Sequence, residues 1–141
     1  MSYLLDTNVI SEWVEPRPHP HVVRWLAAVD EGQTYLSVVS FAEIRQGVEE
    51  MSPGSRRDAI ASWLERDLLL RFERRIVALD VAIAHHCGAL LARSNKLELN
   101  LHVMDAWYAA TGAALGFTLV TRNSRQFRSL NPPPLNPWLN E

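Results

Sequence analysis

The sequence predicts an α/β fold: a parallel sheet covered by helices on both faces, in a single domain spanning residues 1–141. Three observations lead there. Short apolar runs alternate with stretches of helical periodicity along the chain, the pattern of strands buried between two helical layers. Hydrophobic residues make up 48% and charged residues 21%, which suits a folded globule and argues against disorder. No linker is long enough to divide the chain, because Pro16–Pro20 is a stiff local connector and Pro132–Pro134 a rigid approach to the last segment.

The elements follow in order. Tyr3-Leu4-Leu5 is a first strand ending at Asp6, and Thr7 to Val14 begins a helix. Val22, Leu26 and Val29 give residues 21–29 a helical spacing. Residues 34–39, rich in β-branched and aromatic side chains, form a second strand. Residues 40–50 form a helix with Phe41, Ile44 and Val48 on one face, and residues 55–70 a longer one with Ile60, Trp63, Leu64 and Leu68 as its stripe. Arg75 to Leu79 is a short strand. Ile83, Cys87, Leu90 and Leu91 mark a helix over 81–95. Residues 103–115 form a helix whose alanines let it lie close on a sheet, with Gly116 as its C-cap. Residues 117–120 are the next strand, and residues 135–139 supply either one more strand or a tail.

Several function classes drop out. A lone cysteine, Cys87, excludes an internal disulfide and points to the cytoplasm. Asp6 interrupts the early apolar run, so no secretory signal is expected. The longest charge-free run, Ala106 to Thr121, is 16 residues, short of the roughly 20 a membrane helix needs, so no membrane role is expected. The net charge of −2 is not that of a basic nucleic-acid coat. The charge is uneven, however. Residues 1–50 carry 3 Arg against 8 acids, whereas residues 51–141 carry 11 Lys or Arg against 8 acids. A negative half facing a metal and a positive half facing phosphates would suit a nuclease, and chance scatter on a solvated surface is the plain alternative.

In parallel α/β sheets the site lies at the carboxyl ends of the strands, so residues just after apolar runs or in the first turn of the following helix are the candidates. Asp6 directly follows the first strand, with Thr7 and Asn8 beside it; the alternative is an N-cap role. Glu43 lies one turn after the second strand, where Ser40-x-x-Glu43 also reads as a capping box. Asp105 begins the alanine-rich helix, where a carboxylate is favoured by the helix dipole; it lies among residues suited to burial, with no local Lys or Arg to pair it. Thr121, Arg122 and Asn123 follow the last apolar strand, or form an ordinary turn. If the three acids meet, two negative charges about 5 Å apart repel by roughly 3 kcal/mol at an effective dielectric near 20. Protons or a divalent cation must relieve this, and all-oxygen donors favour Mg²⁺ or Mn²⁺ over Zn²⁺.

Residues 4–12 (LLDTNVISE), residues 37–47 with Ala42-Glu43-Ile44-Arg45-Gln46-Gly47, Asp105-Ala106-Trp107-Tyr108-Ala109-Ala110-Thr111 and Leu119-Val120-Thr121-Arg122-Asn123 resemble, in order and spacing, PIN-domain toxins of the VapC type. The FitB-like branch is nearest, and the ending Leu135-Asn136-Pro137-Trp138 is similar to that branch too. The resemblance implies a three-layer α/β/α PIN domain with a central parallel sheet of four or five strands. It also implies Mg²⁺-dependent endoribonuclease activity leaving 5′-phosphate and 3′-hydroxyl ends, a homodimer, and control by a small DNA-binding antitoxin. The acidic metal-holding positions carry over to Asp6, Glu43 and Asp105, and Thr121 matches a supporting hydroxyl. One departure stands out. Where the family often has a further Asp, this chain has Asn123 and Gln126. No fourth carboxylate comes from this loop, which favours one firmly bound ion, with any second arriving with substrate. Arg122, Arg125 and Arg128 are candidates to clamp flanking phosphates, or are solvated charges.

Two rival functions are weaker. A PIN fold that only binds RNA or a protein is at odds with retention of all three acids. A phosphotransfer enzyme with an aspartyl intermediate needs a second Asp where Asn8 stands, or a late lysine where Thr121-Arg122 follows the strand. His19-x-His21 sits between prolines and His85-His86-Cys87 points in several directions on a helix, so neither is expected to bind metal.

Overall fold

The computed structural model describes residues 1–139. Four short strands form one parallel sheet: β1 (Tyr3–Leu5), β2 (Thr34–Ser37), β3 (Ile76–Val77) and β4 (Thr118–Val120), in the order β3-β2-β1-β4. The chain builds outward from β1 to β2 and β3, then crosses back to place β4 on the other side of β1. The first crossover carries α1 (Thr7–Ile10) and α2 (Pro20–Ala28), and the second α3 (Val38–Glu50), α4 (Ser55–Ser62) and α5 (Leu69–Arg71). The third carries α6 (Val81–Lys96) and α7 (Val103–Leu115).

Alternation along each strand separates two cores. Leu5, Leu36 and Val120 pack with Val9, Val22, Ile44, Leu64 and Phe72 on the α1–α5 face. Leu4 and Leu119 pack with Tyr108 and Ala109 of α7 on the other, and Ile83 and Cys87 of α6 close over Ala106 and Ala110 behind it. Ala109 faces the strands beside Tyr108, whereas Ala106 and Ala110 face α6, so the small side chains serve the contact between the two helices as well as the sheet. The predicted three layers are therefore present. No helix among the described residues is long and apolar enough to cross a membrane.

The structure corrects several boundaries. The second strand stops at Ser37, whose buried Oγ accepts from Val39 N at 3.1 Å and caps α3. Ser40 is thus inside the helix, and the Ser40–Glu43 capping box does not exist. A helix is favoured from Val38 because its backbone donors find the Ser37 hydroxyl immediately. The expected long helix over 55–70 is interrupted by a π-helical segment at Trp63–Leu68, which keeps Leu64 and Leu68 buried. The strand expected over 75–79 is only Ile76–Val77. Residues 135–139 form neither a full strand nor a loose tail. Leu135 makes one parallel bridge to Val120, donating to Leu119 O at 2.9 Å and accepting from Thr121 N at 3.0 Å. That bridge covers the β4 edge at the point where the chain leaves the sheet.

Candidate active site

The strand order reverses between β1 and β4, and the chains leaving these two strands diverge to open a crevice at their carboxyl ends. Leu5 pairs with Val120, so the next residues meet. Thr121 Oγ1 donates to Asp6 Oδ2 at 2.7 Å, and Asn8 Nδ2 reaches the same oxygen at 3.4 Å. Asp6 stands at the N-cap position of α1 but makes no side-chain capping bond, so capping does not account for it. It is 5% exposed. Burial is the main cause that pushes its carboxyl from 3.8 up to about 6; the Thr121 bond opposes this, and the charges of Asp105 and then Glu43 add to it.

Glu43 projects from α3 toward the same edge. Its Oε1 accepts from Tyr108 OH at 2.6 Å and Thr7 Oγ1 at 2.8 Å. Tyr108 OH also lies 2.6 Å from Thr7 Oγ1 and 2.7 Å from Ser40 Oγ. Burial, then the bond to Glu43, holds the Tyr108 phenol well above its ordinary range, so it stays protonated as a donor. Asp105 is the third residue of α7, behind His102, whose Nδ1 accepts from Met104 N at 3.2 Å as the cap. Gln126 Nε2 donates to Asp105 Oδ2 at 2.7 Å.

The loop after β4 is tied down by backbone contacts. Asn123 N donates to Thr121 Oγ1 at 3.1 Å, Arg122 N to Asn8 Oδ1 at 3.3 Å, and Asn136 Nδ2 to Arg122 O at 3.1 Å. The Arg122 guanidinium lies 5.3 Å from the Trp138 ring centroid. Arg122, Arg125 and Arg128 are exposed, and none forms an ion pair among the described residues. A cavity of about 400 Å³ on this loop is lined by Arg122, Arg125, Gln126 and Asn136 among others, and by none of the three acids.

The structure thus brings Asp6, Glu43 and Asp105 to one edge, near enough for Asp6 to sense both other charges. It does not close them round one point: among the described residues no three acidic, His or Cys side chains stand together as a metal-holding group. Glu43 leans to Tyr108 and Asp105 to Gln126. The donor chemistry nonetheless fits a hard divalent cation. All the donors are oxygens, and each acid has one oxygen held by neutral donors. The second oxygens of Glu43 and Asp105 are without a hydrogen-bond partner among the described residues, and no cationic side chain is bonded to any of the three. Neutral donors orient carboxylates without cancelling their charge.

Sequence reasoning missed Ser40, Tyr108 and Gln126. Ser40 is three residues before Glu43 on α3 and Tyr108 three after Asp105 on α7, a spacing that shares a helix face; that was the available signal. Gln126 counts in the sequence only as a missing carboxylate, whereas its amide donates to Asp105, which an ionised acid cannot do. Of the discounted histidines, two have structural places: His19 Nδ1 caps α2 by accepting from His21 N at 3.2 Å, and His21 Nδ1 lies 3.0 Å from Trp138 O.

The sequence pattern of the PIN domain matches residues 3–131. The plasmid stability protein StbB of Pseudomonas syringae pv. tomato is 38% identical over 135 residues, covering 96% of this chain and 97% of that protein. The VapC ribonuclease Y4jK of Sinorhizobium fredii is 32% identical over 96% of each chain. Among solved structures, FitAB bound to an IR36 DNA fragment superposes with a TM-score of 0.90 at 31% identity, covering 99% of this chain and 97% of the other.

Proposed function

The chain belongs to the PIN-domain family, and from that premise we propose that it is a Mg²⁺-dependent endoribonuclease, the toxin of a toxin–antitoxin pair. The observation that carries the reading is Asp6: a buried carboxyl at the reversal of the strand order, destabilised as an anion by burial and by Asp105 and Glu43, with no cationic side chain bonded to it among the described residues. An anionic cluster without a counter-charge suits a divalent ion. The ribonuclease relative supports the activity, and the DNA-bound FitAB assembly supports control by a small DNA-binding partner.

In this reading Asp6 and Asp105 hold the ion and Glu43 holds it directly or through water. Mg²⁺, with Mn²⁺ as a substitute, supplies neutralisation of charge at the scissile phosphate and activation of water. Thr121 keeps Asp6 turned toward the crevice, and Asn123 N in turn fixes Thr121. Thr7 helps hold Glu43, and Asn8 ties α1 to the Arg122 loop. Asp105 joins the set through the oxygen that Gln126 leaves free, or by exchanging its exposed Gln126 contact, a small change for a hydrogen bond in water. Arg122 and Arg125 receive flanking phosphates as fork-shaped donors. The chain acts in the cytoplasm as a homodimer.

Asp6→Asn and Asp105→Asn are each expected to abolish Mg²⁺-dependent cleavage of RNA while the circular dichroism spectrum stays native. A variant that cuts normally refutes the assignment, as do 2′,3′-cyclic phosphate ends formed without metal. A parent chain that binds RNA and never cuts it establishes a binding module instead.

A further inference from the structure

We propose that Tyr108 is a positioning residue for Glu43: its phenolic hydroxyl holds one carboxylate oxygen of Glu43 and leaves the other turned to the metal and substrate. This rests on the nuclease reading and adds to it a residue outside the acidic set. A glutamate side chain has three rotatable bonds and, unaided, samples many positions at a half-exposed edge. Tyr108 has a rigid ring and is fully buried, clamped among Leu4, Val39, Ala109, Leu119 and Phe127. Its hydroxyl is its one polar side-chain group: it lies 2.6 Å from Glu43 Oε1, 2.6 Å from Thr7 Oγ1 and 2.7 Å from Ser40 Oγ. Three elements therefore meet at one oxygen, namely α1 through Thr7, α3 through Ser40 and Glu43, and α7 through Tyr108 itself. Phenylalanine would fill the same volume in the alanine-rich helix, so packing alone does not explain the hydroxyl. Because α7 also carries Asp105, the contact sets the spacing between the two helices that deliver Glu43 and Asp105. This is the arrangement in which groups behind metal ligands orient them and tune affinity.

The test uses the full chain with Tyr108→Phe, Ser40→Ala and, as a control, Tyr35→Phe, whose ring packs against Phe117 on the same side of the sheet. Mn²⁺ binding is measured by electron paramagnetic resonance, alongside RNA cleavage and thermal melting. Tyr108→Phe is expected to weaken Mn²⁺ binding about tenfold and to lower kcat with KM for RNA unchanged. Ser40→Ala, which frees the phenol without removing it, shifts Mn²⁺ affinity the same way by less, and Tyr35→Phe leaves both untouched. A folded Tyr108→Phe chain that binds Mn²⁺ like a parent that itself binds it overturns the positioning role alone. Should Tyr108→Phe fail to fold, unchanged Mn²⁺ binding by Ser40→Ala overturns it equally. A parent chain that binds no Mn²⁺ overturns the nuclease reading and this inference with it.

Discussion

Asp6 shows how a single side chain carries a cost that the fold elsewhere must offset. Its carboxyl is raised from 3.8 to about 6, so between those values the folded chain binds a proton more tightly than the unfolded one. Stability in the absence of metal therefore falls as pH rises from about 4 to 6 and then levels off, by about 3 kcal/mol for a shift of this size. Asp6→Asn is expected to remove that slope. Compared by urea unfolding, the variant should match the parent near pH 4 and exceed it at pH 7, and Mg²⁺ should raise the melting temperature of the parent only. A parent whose stability is flat across this range would contradict the raised carboxyl. The sequence placed Asp6 at a strand end and Glu43 and Asp105 near helix starts without revealing their neighbours, because Thr121 lies 115 residues from Asp6 and Tyr108 lies 65 from Glu43.

At the scale of the element, helix starts decide which way the acids point. Ser37, not Ser40, caps α3, which moves Glu43 from the first turn into the second and releases it from any duty to the helix end. Ser37→Ala is expected to cost about 1 kcal/mol, the usual penalty for removing a capping hydroxyl, read as a lower denaturant midpoint with an unchanged m-value. An unchanged midpoint would mean the cap is dispensable. His102 likewise caps α7 and leaves the Asp105 carboxylate to Gln126. The helices over 40–50, 81–95 and 103–115 were legible because their apolar spacing is long and regular. Element ends were not, since a hydroxyl at 37 and one at 40 look alike until backbone geometry selects the one that meets an amide.

Across the whole molecule, the order β3-β2-β1-β4 sets the end of β1, with Asp6, beside the end of β4, where the loop carrying Arg122 and Arg125 begins. Asp6 lies at a strand end and Glu43 and Asp105 near the starts of α3 and α7, while exposed Arg122 and Arg125 sit on the loop after β4, secured by Asn136 and the Leu135 bridge. Replacing both arginines by alanine is expected to weaken RNA binding. It should also make the salt dependence shallower, by about 0.7 in logarithmic slope for each phosphate that an arginine no longer neutralises. Binding measured between low and moderate salt with an unchanged slope would show that these arginines do not face the strand.

Alternating apolar strands and periodic helices were enough, by themselves, to determine a layered parallel α/β fold and to mark the strand-end positions where polar residues gather, because burial and periodicity are local properties of the chain. The partners of those residues were left to the tertiary structure. It decided that Thr121 meets Asp6, that Tyr108 and Thr7 take one oxygen of Glu43, and that Gln126 serves Asp105 instead of leaving a gap. Each of these contacts spans 21 or more residues, and hydrogen bonds depend on direction and tenths of an ångström, which only the folded arrangement of strands and helices sets.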